Sequence, residues 1–336
     1  MSSILVWLSF LLTVSEFGGD SRPPIHASNP KRTFAAVYLV RGSVSGSHTG
    51  NFGVFTRNGN DTTWTFVNPS SIIAFGLGYF ERVSTRRHYI AAGNGVHRST
   101  DGGRTWRILT SWHTMEILGV VPDPYDSALV YAATPWGMYR TTDDGATWEL
   151  KDKGTKRWFV QQLHMDLRDR RTLYAVMEDD LYRTTDGGES WTPVHVGGTY
   201  PQVVAQHPVD PSFLCVGFGD GSIRCSMDDG RSWKRAGEVR GEAIYALRFS
   251  PDGTSLLAAG WRTGVWRSLD RGTSWAQIWD NPAVEGVFDV AVDPDNSHHL
   301  IIATDGQGVY ESLDEGGTWS RAGLMGAKVK RIEFYP

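Results

Sequence analysis

Six aspartates of this chain occupy the same place in a recurring phrase: Asp101, Asp143, Asp186, Asp228, Asp270 and Asp314. Carboxylates do general acid–base work and bind hard cations, so their first reading is chemical. Their neighbours argue for a turn instead. The phrase runs Ser99-Thr-Asp-Gly-Gly-Arg-Thr-Trp106, then Thr141-Thr-Asp-Asp-Gly-Ala-Thr-Trp148 and Thr184-Thr-Asp-Gly-Gly-Glu-Ser-Trp191. It returns as Ser226-Met-Asp-Asp-Gly-Arg-Ser-Trp233, Ser268-Leu-Asp-Arg-Gly-Thr-Ser-Trp275 and Ser312-Leu-Asp-Glu-Gly-Gly-Thr-Trp319. An Asp side chain accepts hydrogen bonds from the backbone N–H groups of the turn that follows it. The Gly two residues on takes a positive φ without steric cost. The closing Trp buries a large ring between neighbouring sheets. One catalytic centre repeated at every copy has no chemical purpose, whereas one repeated hairpin staple does.

Ligand chemistry sits better on side chains outside the phrase. Trp112, Trp136, Trp158, Trp261 and Trp279 offer flat rings that stack on the apolar faces of a sugar or a peptide. One loop carries Lys151, Lys153, Lys156 and Arg157, while Tyr200 and Arg262 add further polar groups. The ten histidines are scattered, and no Ser-His-Asp constellation, Gly-rich phosphate loop or His/Cys metal spacing is apparent. The residues therefore imply no cofactor and no metal.

The elements that must position these groups follow from a period. Trp64, Trp106, Trp148, Trp191, Trp233, Trp275 and Trp319 are spaced by 42, 42, 43, 42, 42 and 44 residues. The copy before Trp64, Thr56-Arg-Asn-Gly-Asn-Asp-Thr-Thr-Trp64, is degenerate and one residue longer. Four short strands fill about 40 residues, so each period is one four-stranded unit. Ile117-Leu-Gly-Val-Val-Pro leads to a turn at Asp123-Pro124, then Leu129-Val-Tyr-Ala-Ala-Thr, a tight turn at Pro135-Trp136-Gly137, Met138-Tyr-Arg-Thr-Thr, the phrase, and Trp148-Glu-Leu. These are strands A, B, C and D. No long apolar period of 3.6 residues is present, so no helix is expected. The spacing predicts an all-β fold, a seven-bladed β-propeller of four-stranded blades.

The ends predict how the ring closes. Val329-Lys-Arg-Ile-Glu-Phe-Tyr-Pro336 reads as a strand A with nothing after it. Asn29-Pro30-Lys-Arg-Thr-Phe-Ala-Ala-Val-Tyr-Leu-Val40 reads as a strand B with no strand A before it. The C-terminal strand should therefore pair with the N-terminal blade, leaving no open sheet edge. This places the propeller at 29–336, after an N-terminal segment 1–28. A–B turns and phrases then lie on one face, B–C turns and D–A connections on the other. All five free tryptophans fall in or beside the loops of the second face.

The phrase, S/T-x-D-x-G-x-S/T-W, resembles the Asp-box of BNR-repeat proteins over the chain from about residue 29 onward. That resemblance implies that the six aspartates are structural and that a ligand binds over the channel on the B–C and D–A face. Xyloglucan-active endoglucanases of this superfamily use twin seven-bladed propellers. One of their catalytic aspartates sits in a phrase resembling Ala303-Thr-Asp-Gly-Gln-Gly-Val-Tyr310, which singles out Asp305, with Glu178 or Asp179 as the partner from across the ring. Sialidases need an arginine triad and a Tyr nucleophile, for which Arg157, Arg240, Arg262 and Tyr200 stand available, but they have six blades and a Phe-Arg-Ile-Pro-type motif missing here. Photosystem II stability and assembly factors are exported single seven-bladed propellers that bind proteins. The expectation is an exported binding or scaffold propeller without catalysis, taking a glycan or a protein partner. The alternative is a glycoside hydrolase.

The net charge of −4, from 33 basic and 37 acidic residues, argues against nucleic-acid binding. The apolar run Ile4-Leu-Val-Trp-Leu-Ser-Phe-Leu-Leu-Thr-Val14 is short for a membrane span and suits a signal-peptide core followed by a linker. Secretion or a periplasmic or lumenal location is the expectation. Membrane contact would come only through that segment left uncleaved, and a monomer is expected. Cys215 and Cys225 flank one hairpin: a three-residue loop at Gly219-Asp220-Gly221 makes the thiols face each other, and a two-residue loop leaves both free.

Overall fold

The computed structural model describes residues 32–40, 52–59, 61, 63–67, 72–82, 85–111, 116–157 and 159–335. Seven antiparallel four-stranded sheets stand around a central channel, with no helix among the described residues. Blade 1 orders its strands Ala327–Tyr335, Arg32–Val40, Gly53–Asn58 and Thr65–Phe66, so the C-terminal strand supplies the innermost position next to the N-terminal three. Blades 2 to 7 run consecutively, with inner strands Ala74–Arg82, Gly119–Pro122, Val160–Met165, Pro201–Gln206, Ala243–Phe249 and Val287–Asp293.

Burial follows the radial position of each strand. Strand B is buried at every residue in blades 3, 4 and 5, as its continuous apolar sequence requires. Strand D is two to four residues long and mostly exposed. The core is accordingly divided into seven clusters, each lying between adjacent blades. Phe80 and Tyr89 of blade 2 pack on Val120 and Val130 of blade 3, and Phe55 and Trp64 of blade 1 close on Ile301 and Val309 of blade 7.

The recurring phrase builds one turn six times. Asp101 accepts the backbone N–H of Thr105 at 2.9 Å and its hydroxyl at 2.6 Å, while Ser99 Oγ donates to Asp101 at 2.8 Å and accepts the Gly103 N–H at 2.8 Å. Asp143, Asp186, Asp228, Asp270 and Asp314 repeat this set. Gly103 has φ 87°, and the residue before the Gly is also left-handed, as at Asp144 (φ 63°) and Glu315 (φ 58°). The closing Trp then reaches sideways. In four of the six its Nε1 donates to a carbonyl at or just after strand D of the preceding blade, Trp106 to Val67, Trp148 to Leu109, Trp191 to Lys151 and Trp319 to Ile278, whereas Trp233 and Trp275 donate to Gly230 and Gly272 of their own turns. Trp64 donates to Ala322 at 2.6 Å, across the closure. Four of the six boxes therefore staple blade to blade as well as strand C to strand D.

A second staple sits one residue ahead of the box. Arg98, Arg140 and Arg267 each donate to the backbone carbonyl of the left-handed residue in the next blade's box, at Asp144, Gly187 and Glu315. Arg140 also pairs with Glu189 at 2.7 Å and Arg267 with Glu315 at 3.0 Å. The recurrence of Arg before the box Ser or Thr was visible in the sequence, but its target lies in a different repeat.

Cys215 and Cys225 stand opposite each other on strands B and C of blade 5 and are joined by a disulfide. Gly219-Asp220-Gly221 is the three-residue loop between them, closed by Phe218 N–H to Ser222 O at 3.0 Å. Cys215 is fully buried against the blade 6 interface. Cross-linking this pair restricts the unfolded chain, so Cys215→Ser with Cys225→Ser should lower stability by about 2–3 kcal/mol. The check is the denaturant midpoint of the double variant against the oxidised protein. An unchanged midpoint would mean that packing alone sets the hairpin.

The mouth of the channel as a candidate binding site

The inner strands share an irregularity that aims side chains at the channel. In each, one extra residue is inserted into the A–B pairing: Phe75, Gln161, Gln202, Tyr245, Phe288 and Lys330 in blades 2, 4, 5, 6, 7 and 1. In blade 3, Leu118 and Gly119 both oppose Ala133, with Leu118 donating to its carbonyl. A β-bulge re-aims the side chain it carries. All seven bulged residues line one chamber of about 270 Å³ at the end of the channel served by the B–C and D–A loops.

The chamber is rimmed by rings. Tyr38 lies 5.7 Å from Phe75, and Tyr245 lies 5.8 Å from Phe288, centroid to centroid. Phe159 extends the collar towards blade 4. The Lys330 ammonium stands 3.6 Å from the Phe288 ring centroid and 5.9 Å from that of Tyr38, a cation–π arrangement. Burial, the largest influence on Lys330, lowers its pKa to about 8. Deeper in, Arg248 pairs with Glu333 at 2.7 Å, and Asp289 accepts the backbone N–H groups of Val290 and Ile332, each at 3.0 Å. His164, hydrogen-bonded to Gln206 at 3.1 Å, is held below the usual imidazole range by burial.

The residues singled out from sequence do not gather into one platform. Trp136 is 60% exposed at the B–C turn of blade 3. Trp261 ends strand B of blade 6 half-buried, its ring lying over Gly286. Trp279 is a correction: it is 8% exposed and packs on Tyr310 and Trp319 at 5.4 and 6.3 Å, so it offers no face to a ligand. It belongs to a strand D of four residues, Ala276–Trp279, where blades 2 to 5 have two, and this extension draws it back onto the sheet. Trp112 and Trp158 lie outside the described residues, as do 1–28. Lys156 and Arg157 are exposed in the D–A loop before blade 4. Tyr200 is 66% exposed with φ 55°. Arg262, at φ 49°, forks between Glu242 at 2.9 Å and Glu285 at 3.6 Å.

The candidate carboxylates are occupied or separated. Asp305 is ion-paired with Lys328 at 2.6 Å, tying blade 7 to the closing strand. Asp179 accepts the Tyr182 hydroxyl at 2.9 Å, and Asp180 accepts the backbone N–H groups of His195 and Val196. Glu178 is exposed at the B–C turn of blade 4, three blades round the ring from Asp305. Among the described residues no group of three His, Cys, Asp or Glu side chains is placed to hold a metal ion. The bulged residues escaped sequence reading because they share a register position and no residue type.

A family described as Sortilin-Vps10 (sortilin, neurotensin receptor 3) matches residues 94–197. The xyloglucanase Xgh74A of Acetivibrio thermocellus is 26% identical over 158 residues, covering 34% of this chain and 19% of that protein. The crystal structure of a GH74 xyloglucanase from Xanthomonas campestris superposes with a TM-score of 0.62 at 21% identity, covering 75% of this chain and 45% of the enzyme. The structure of YCF48 bound to D1 peptide gives 0.59 at 18%, covering 76% of this chain and 83% of YCF48. The chain thus spans less than half the length of these xyloglucanases. What all of them share with it is architecture: the chain is a seven-bladed β-propeller of Asp-box repeats.

Proposed function

We propose that the protein is a non-catalytic, exported binding propeller that receives a segment of a protein partner over the collar of its channel. The ring of seven bulged residues carries this reading, because it presents aromatic faces and a cation at one solvent-accessible mouth. Aromatic anchors in a recess are what protein recognition uses for affinity. The pairing of Asp305 with Lys328 and its separation from Glu178 count against a hydrolytic carboxylate pair. The match to most of the length of YCF48, which is bound to a D1 peptide, favours a protein over a polysaccharide. The disulfide supports an oxidising, extracytoplasmic location.

The test is capture from native envelope extract on the immobilised full chain. Proteins retained by the parent and by Trp136→Ala should be lost, on the order of tenfold, from a Tyr245→Ala, Phe288→Ala double variant. Equal retention by both variants would reject the collar as the seat. Incubation with xyloglucan in parallel tests the second reading, since release of sugar would return Asp305 and Glu178 to catalysis.

A further inference from the structure

Charges along the channel wall are matched except at one point. Lys328 pairs with Asp305, Arg248 with Glu333, and Asp289 is taken by two backbone N–H groups with Arg331 3.5 Å away. Four cations thus face three carboxylates. The surplus falls on Lys330, which has no carboxylate within ion-pair distance among the described residues and rests on the faces of Phe288 and Tyr38. Leaving a half-buried ammonium on ring faces alone costs free energy that an anion would recover.

The chamber beside it is supplied with donors. The Gln162 side-chain carbonyl accepts the Val204 N–H at 2.8 Å, which leaves its amide NH₂ as a donor on the chamber's lining. Arg331 and Gln161 line the same wall, and Tyr245 brings a hydroxyl. Glu333 and Asp289, the acids lower in the channel, are already engaged. One unmatched positive charge fits a monoanion better than a doubly charged phosphate or sulfate, and the planar guanidinium of Arg331 on the same wall matches a planar carboxylate.

We infer that the chamber beneath the collar is an oxyanion site that holds one carboxylate between Lys330, Arg331 and Gln162. The carboxylate arrives either on an acidic side chain of a polypeptide or as a free small acid. Its position within the collar rests on the partner-binding reading above, but its test needs no partner.

The full chain, labelled with ¹³C-lysine, would be titrated with acetate, glutarate, sulfate and neutral acetamide at constant ionic strength, following the Lys330 Cε resonance and the heat of binding. Carboxylates should saturate and raise the Lys330 pKa, acetamide should not bind, and sulfate should bind at least several-fold more weakly. Lys330→Met should weaken carboxylate binding on the order of tenfold with an unchanged melting temperature, and Lys330→Arg should restore most of it. Arg331→Gln provides a second loss-of-binding variant should the first fold poorly. Binding of acetate unaffected by both variants, or equal binding of acetate and sulfate, would overturn the site. A blocked peptide with one internal Glu that outbinds glutarate assigns the polypeptide source; the reverse order assigns a free acid. Failure here with collar-dependent partner capture intact would remove the oxyanion site and leave the binding face standing.

Discussion

A chain ending at Gly326 should fail to form the closed ring. Residues 327–335 pair with Arg32–Val40 over eight register positions and bury Ala327, Val329 and Ile332 completely. Burying each Val or Ile contributes about 1.5–3 kcal/mol, and the whole fold has only about 5–15 kcal/mol to lose. Removal also bares Arg32–Val40, whose Phe34, Ala35, Ala36 and Val37 are buried, as an unpaired apolar edge. Such an edge is a template for association. It leaves Asp305 without Lys328 and Arg248 without Glu333 as well. Size-exclusion chromatography and a thermal melt should show association and loss of the cooperative transition. A peptide of residues 326–336 added in trans should recover part of it by strand addition. A truncated chain that stays monomeric and melts like the parent would show that the Trp64–Ala322 and Arg57–Glu311 contacts suffice to hold the seam.

That closure was legible in the sequence because it depends on which strands each end carries, and a period makes a missing strand obvious. The blades and their staple were legible for the same reason: Ser99, Asp101, Gly103 and Trp106 act within a few residues of one another, so their chemistry is local and recurs. The Gly219-Asp220-Gly221 loop was read as one of two registers, and pairing of Cys215 with Cys225 selects between them. The collar was not legible. Phe75, Gln202 and Lys330 are alike only in being the residue that strand B skips, which is a property of pairing between strands. Trp279 was misplaced because nothing within its own repeat announces that strand D runs on to pack it against Tyr310.

In acid the staples themselves should become the weakness. Asp101, Asp143, Asp228 and Asp270 are held down to about 2, chiefly by the hydroxyls of Thr105, Thr147, Ser232 and Ser274. Asp314 is held to about 2 by the Thr318 N–H first. Burial pulls Asp186 upward, but bonds from Thr184 and Ser190 outweigh it. Each folded value lies below the unfolded value of 3.8. Each carboxylate therefore contributes stability that is present above that value and is lost as pH falls towards 2. Glu311, held to about 2 by His299 first and Arg57 as well, adds to the same slope. His299 has the opposite sign: burial opposes its charge, but Asp293 and Glu311 raise its pKa above 6.5. Its contribution is present in mild acid and fades as pH rises through the folded value. Stability should hold between about pH 4 and 6 and then fall steeply below 4, with on the order of five protons taken up by these seven groups on unfolding near pH 3. Denaturant midpoints from pH 6 to 2 measure that slope. Asp143→Asn with Asp228→Asn should lower the uptake by about two protons while weakening the fold at pH 6, because an amide cannot replace both accepting oxygens. A parental slope retained in that variant would take the acid sensitivity away from the boxes and give it to the other carboxylates held low, Glu311, Asp166 and Asp210 among them.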